Sequence, residues 1–328
     1  MKATAIRAGF LTSVQDLGRT GFRQFGVSLG GALDPHALRV ANLLAGNNES
    51  AAGLEITFGG LRIQFADERL IVWCGGEFKA RIGPTSLDAG HPALVRAGEE
   101  FSIESRALGC RAWLAISGGV DVPLVLGSRS ADLRAGFGGV NGRPLRDSEE
   151  FPLGENPQRA KLLIDQLRAE KIARWKPPHD WSSTARRTPR LRYIRGVDWT
   201  RFNDVAIQRF ATEPFIVSPD SDRMGIRLDG PRLERREDVD LLSEAVAPGT
   251  VQVPPSGQPI LLLNDCQTIG GYPKIAHVIT VDLPIATQLC PGDRVHFTEV
   301  STADAHTLLL ERERNLEQFR RGLESHFK

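Results

Sequence analysis

The sequence predicts a mainly β protein of two domains with a few peripheral helices. Three observations carry that expectation. Glycine (33) and proline (20) are both abundant. They punctuate short runs rich in Val, Ile, Phe and Trp, the pattern of many short strands between turns. A chain of 328 residues, 41% of them hydrophobic, is long enough to build two cores.

In the first half the strand-like runs are 55–58, 61–65, 70–73, 78–82, 101–104 and 111–117; in the second they are 191–194, 214–218, 251–253, 259–263, 275–281 and 294–300. Many short strands at this spacing suit barrels or sandwiches. Three helices interrupt them. Asp34 reads as an N-cap with Pro35 in the first helical position and Gly46 near the stop, and Ala37, Leu38, Ala41, Leu44 and Ala45 recur at helical spacing. Asn156-Pro157 opens a second helix, expected over 157–171, carrying Leu162, Leu163, Ile164 and Leu167. A third is expected over 303–327, where Leu308, Leu309, Leu316 and Leu323 alternate with charges on an amphipathic surface helix.

The stretch 176–190 (KPPHDWSSTARRTPR) is polar, basic and proline-bearing, which reads as a linker. It divides the chain into a first domain, 1–175, a second, 191–300, and a C-terminal helical segment, 301–328. A faint repeat suggests that the halves are related. The pattern D-x-x-R-x-G-[FI]-R occurs from Asp16 to Arg23 and from Asp220 to Arg227, and a glutamate followed by a glycine comes later in each half, Glu55 with Gly59 and Glu244 with Gly249. Two related domains would place a ligand cleft at their junction.

Composition excludes several classes. With 41 basic and 40 acidic residues the net charge is +1, so no bulk field draws nucleic acid or an anionic membrane. Residues 1–20 lack the apolar core of a signal peptide, and the longest apolar runs are strand-sized rather than membrane spans. Cys74, Cys110, Cys266 and Cys290 are far apart and form no CxxC; a soluble cytoplasmic protein is expected. No Gly-Lys dipeptide occurs, hence no P-loop. No HExxH, paired CxxC or EF-hand spacing points to a metal. The methionines are Met1 and Met224, so the Met-Lys-Met signature that carries biotin is absent. Residues 26–30 match G-x-S-x-G by letter, but Arg23-Gln24 precede them in place of a hydrophobic strand, and the helix starts only after Asp34; this is not a nucleophile elbow.

Longer segments carry a resemblance. The runs TSVQDLGRTG (12–21), GVSLGGALD (26–34), ANLLAGN (41–47), LEITFGG (54–60), SGGVDVP (117–123), LGSRS (126–130), SDRMGIRL (221–228), GTVQVP (249–254) and DCQTIGGYP (265–273) follow in order. Together they resemble the biotin-dependent carboxyltransferase-like family over about residues 5–300. The resemblance implies two cyclophilin-like β-barrel domains. The family includes the carboxyltransferase of urea amidolyase, stand-alone 5-oxoprolinase C subunits and the antikinase regulator KipA. A stand-alone chain of this length looks most like the C subunit of an ATP-dependent 5-oxoprolinase. Such a protein would hydrolyse 5-oxoproline to glutamate with two companions, one KipI-like and one of the LamB/YcsF type, the ATP being bound at or by those partners. Two alternatives stay open. One is carboxyl transfer to a urea-like nitrogen from carboxybiotin carried on another chain, and the other is a KipA-like regulator of a KipI-type inhibitor. The chain departs from the family pattern at Ser28 and Gly30, where proline and serine are usual, at 146–150, where a Gly-Asp pair usually closes the domain, and in the helix expected over 157–171.

The candidate residues admit two readings each. Gln15, Asp16 and Arg19 form either a turn held by an aspartate side chain or, as the resemblance implies, a binding loop. Asp222 and Arg223 offer a carboxylate or phosphate fork, or an internal ion pair. Asp265, Gln267, Gly270, Gly271 and Tyr272 emerge after the apolar run 260–263; Asp265 there is either a general base or a turn cap, while the glycines let backbone approach a small planar ligand. Cys266 has no adjacent histidine and is not expected to be a nucleophile. His277, three residues after Lys274, is a second catalytic candidate or a structural histidine. Asn42, Asn47 and Glu55 are candidate substrate-binding side chains.

Overall fold

The computed structural model describes residues 1–237 and 241–326 and is mainly β. Contacts divide it into two compact units. Unit 1 comprises Met1–Arg19, Gly30–Ala185 and the chain from Leu316 onward; unit 2 comprises Thr20–Leu29 and Arg186–Asn315. The expected linker is thus packed at its start: His179–Ser182 forms a helical turn, and Ser182, Ser183, Thr184 and Ala185 are buried in unit 1.

Unit 1 is a nine-stranded sheet curled into a half-barrel, made of β1 (Lys2–Ala8), β2 (Leu11–Gln15), β3 (Gly53–Thr57), β4 (Leu61–Phe65), β5 (Arg69–Ile82), β6 (Thr85–Ser86), β7 (Ala93–Val95), β8 (Glu100–Ile116) and β9 (Glu149–Pro152). Four runs expected as separate strands are two long bent ones, β5 and β8, which pair from Ile71 with Ile116 to Ile82 with Phe101 through several bulges. Gly75, which reads as a strand end, is the bend. Its φ is +132°, and a Cβ there would lie 2.5 Å from the Arg111 carbonyl oxygen, so only glycine lets the strands approach. Val14, Leu54, Ile63, Trp73, Phe101 and Leu114 are among the buried core residues.

Helix α1 (Pro35–Leu44) covers this sheet; the Asp34 carboxylate accepts the Ala37 N–H at 2.8 Å, and Gly46 follows in the left-handed region. Helix α2 (Gln158–Glu170) buries Leu163, Ile164 and Leu167, whereas Leu162 points to solvent. The turn His179–Ser182 is α3.

Unit 2 is a closed seven-stranded barrel in the order β10 (Arg190–Arg195), β17 (Lys274–Val278), β14 (Thr250–Gln252), β15 (Ile260–Leu262), β12 (Gly225–Asp229), β11 (Phe215–Val217) and β18 (Arg294–Glu299), with a separate ribbon of β13 (Glu244–Ala245) and β16 (Ile269–Gly270). Parallel pairing of β10 with β18 closes it. Inside, Tyr193, Phe215 and Phe297 meet Phe210 from α4 (Asp204–Thr212), which stacks on Phe297 at 4.5 Å. Helix α5 (Leu283–Ala286) is a single turn, and α6 (Thr302–His326) buries Leu316 and Leu323; Phe327, expected to end that helix, lies outside the described residues.

The two copies of the repeat are not placed alike. Asp16 and Arg19 leave the C-terminal end of β2, whereas Arg223 leads into the N-terminal end of β12. Glu55 is buried inside β3, whereas Glu244 is exposed and paired with Lys274.

Candidate functional site

In unit 1 the candidate residues form buried polar scaffolding. The Asp16 carboxylate accepts the Gly18 and Arg129 N–H groups at 2.8 and 2.6 Å and the Ser128 and Ser130 hydroxyls, each at 2.6 Å. Arg19 is fully buried; it donates to the Val125 and Ser130 carbonyls and lies over the Phe137 ring. Gln15 donates to Ser13 and to the Ala131 carbonyl. Asn47 bridges Asn42, the Ile116 carbonyl and the Gly118 N–H, while Asn42 donates to the Ala51 carbonyl. Glu55 accepts from Leu33 N–H and Trp113 Nε1, both at 2.9 Å. Buried groups hydrogen-bonded in this way fix loops, although Gln15 Oε1 has no partner among the described residues.

In unit 2 a cleft of about 500 Å³ opens on the outer face of the barrel. Strand alternation puts Ile226, Val251 and Leu261 inside, so their neighbours face outward. Arg227, Ile260 and Gln252 sit side by side across β12, β15 and β14. These three line the cleft, as do the candidates Asp222, Gln267 and Tyr272. Gln267 Nε2 donates to Gln252 Oε1 at 3.3 Å, and Gln252 Nε2 donates to the Tyr272 carbonyl at 3.3 Å. Gly270 leaves room for this pair: a Cβ there would lie 2.8 Å from Gln252 Nε2 and push the carboxamide aside.

Asp265, expected at the ligand, does not line this cleft. Arg223 Nε and Nη2 donate to its two oxygens at 2.8 and 3.1 Å, and both residues are only 8% exposed. Asp222 caps its own turn, accepting from Met224 N–H at 2.7 Å. Gly271 lies against the Leu241 carbonyl. His277, on β17, lies with Nδ1 3.5 Å from Thr250 Oγ1 and does not line the cleft; burial lowers its pKa from the ordinary 6.5. Cys266 is fully buried, and burial raises its thiol pKa, with Arg23 opposing that rise. A thiol held protonated at neutral pH is no nucleophile.

Residues 25–299 match the model of the carboxyltransferase domain, subdomain A and B. The chain belongs to this family. The 5-oxoprolinase C subunit of Escherichia coli K12 is 39% identical over 313 residues, 95% of this chain and 96% of that one. A Haemophilus influenzae protein of the same name is 34% identical over 310 residues, 94% of each chain. Among solved structures, urea carboxylase of Kluyveromyces lactis superposes with a TM-score of 0.87 at 26% identity, over 97% of this chain and 29% of that one. This carboxyltransferase-family chain therefore spans less than a third of that enzyme.

Sequence reasoning passed over Gln252, Arg227 and Arg23 as site residues. The first two had a signal: each is polar and stands next to aliphatic residues on a strand, hence on the face opposite the core. Arg23 had none, since its partners are 223 and 244 residues away.

Two outcomes are expected. Asp265→Ala strands the Arg223 charge and lowers stability by about 3–5 kcal/mol; an unchanged denaturant midpoint would contradict a tight pair. For His277, the folded value is below the ordinary 6.5, so between the two values the unfolded chain binds a proton that the native protein refuses. Its contribution is intact above about 6.5 and is lost as pH falls through that window. Comparing denaturant midpoints from about pH 7 to pH 5, His277→Gln should show a shallower loss than the parent, and identical slopes would be the contrary result.

Proposed function

We propose that this chain is the C subunit of an ATP-dependent 5-oxoprolinase, opening the lactam of 5-oxoproline to give glutamate, and that its cleft in unit 2 binds the lactam. The observation that carries the reading is 39% identity to a protein of that name over nearly the whole of both chains. The chemistry of the cleft agrees with it. A lactam presents its N–H and C=O side by side, and a carboxamide offers the complementary acceptor and donor. Gln267 has one Nε2 hydrogen committed to Gln252, and its Oε1 accepts no hydrogen bond among the described residues. Arg227 lines the same cleft with no ion pair among the described residues, a guanidinium suited to one carboxylate. Tyr272, 46% exposed, supplies a ring face.

The cleft does not suit ATP. Asp220, Asp222 and Asp229 line it against Arg227 as its one Lys or Arg, and a polyphosphate needs the opposite balance. No phosphate loop exists in the sequence. Nucleotide binding therefore belongs to the two companions, one KipI-like and one of the LamB/YcsF type, and no chemical step on the nucleotide is derived from this chain. Among the described residues, no helix is long and apolar enough to cross a membrane; a cytoplasmic assembly is the setting proposed.

The likeness to urea carboxylase supports a second reading, carboxyl transfer to a urea-like nitrogen. One assay separates the two. The chain mixed with both companions should release phosphate and glutamate from ATP and 5-oxoproline, while the chain alone should not. Urea with bicarbonate, ATP, a biotin carboxylase and a biotinylated carrier should give no carboxylated urea. Carboxylation of urea without hydrolysis of 5-oxoproline would replace the first reading by the second.

A further inference from the structure

The loop that carries Gln267 is held from an unexpected direction. Arg23 lies in a 3-10 turn, Arg23–Phe25, closed by Gly26 in the left-handed region. This turn belongs to the short segment Thr20–Leu29 that packs with unit 2 although the residues on either side of it pack with unit 1. Arg23 Nη2 donates to the Val246 carbonyl at 2.5 Å and to the Gln267 carbonyl at 3.2 Å. The Val246 N–H in turn donates to the Thr268 carbonyl at 3.1 Å. The same guanidinium therefore ties the end of the β13 ribbon to the backbone of the residue whose side chain lines the cleft. Its Nη1 is buried with no hydrogen-bond partner among the described residues, and the guanidinium lies against the thiol of the fully buried Cys266, whose pKa it lowers.

We propose that Arg23 is a positioning residue: it sets the Gln267 carboxamide in the cleft and so controls affinity for the N–C=O ligand. It does not touch the ligand, and its effect on catalysis rests on the 5-oxoprolinase reading given above; its effect on the loop does not. Losing a charge-assisted brace of this kind moves Gln267 out of register with a bound lactam. In the reconstituted complex Arg23→Ala should raise KM for 5-oxoproline about tenfold with kcat changed by less than about threefold, the pattern of lost uniform binding. Arg23→Lys, which keeps the charge but not the fork, should fall between. Millimolar guanidinium should restore part of the KM in Arg23→Ala.

The independent readout is thiol chemistry. All four cysteines are buried, so a thiol reagent labels the native chain slowly. In the intact Arg23→Ala chain, Cys266 should label at least about tenfold faster, as expected of local opening, while Cys74, Cys110 and Cys290 stay protected; peptide mass spectrometry tells them apart. Unchanged KM together with unchanged Cys266 protection overturns the proposal. So does lower kcat at constant KM with all four thiols exposed, which marks a general loss of structure. If even the parent complex hydrolyses no 5-oxoproline, the functional reading falls, and selective exposure of Cys266 still decides whether Arg23 holds the loop.

Discussion

The bidentate ion pair between Arg223 and Asp265 is the constraint on which the cleft depends. It joins residues 42 apart in sequence, and backbone bonds run beside it, from Asp265 N–H to the Arg223 carbonyl and from Leu263 N–H to the Met224 carbonyl. Two buried charges cost desolvation that only a well-made pair offsets. Once made, the pair ties the turn before β12 to the loop after β15, and the cleft lies across those strands. The carboxylate that looked like a base from sequence is engaged with a guanidinium, and it anchors the loop that carries Gln267.

The same use of buried polar groups recurs in unit 1, where it fixes long connections rather than a cleft. Asp16 gathers two serine hydroxyls and two main-chain N–H groups, and Asn47 joins the end of α1 to the turn after β8. Glu55 receives an indole N–H and a main-chain N–H inside the sheet. Each of these side chains is less than a tenth exposed. Their clustering in sequence near glycines is explained by the loops they hold.

Much of the architecture was legible because it is local. The Asp34-Pro35 start and Gly46 stop of α1, the amphipathic α6 and most barrel strands follow from caps and periodicity. What was misread depended on distant partners. Gly75 looks like a turn until Arg111 is placed against it. Strand β1 escaped notice because its inward residues Ala3 and Ala5 carry so little apolar signal. The D-x-x-R likeness matched letters, while the carbonyls around Arg19 and the carboxylate facing Arg223 lie on other elements. At the site, Gln267 and Tyr272 were visible as a glycine-rich cluster after an apolar strand. The Arg23 brace was not, since nothing local to Arg23 announces its partners in the second half of the chain.

The central claim is that a small planar N–C=O ligand sits in the unit 2 cleft against Gln267. Its most direct test is a crystal structure of the chain with its companions soaked in 5-oxoproline. The account predicts ligand density between Gln267 and Tyr272, with the lactam facing the Gln267 carboxamide and the carboxylate toward Arg227. Ordered 5-oxoproline elsewhere in the complex, with this cleft holding only solvent, would contradict it.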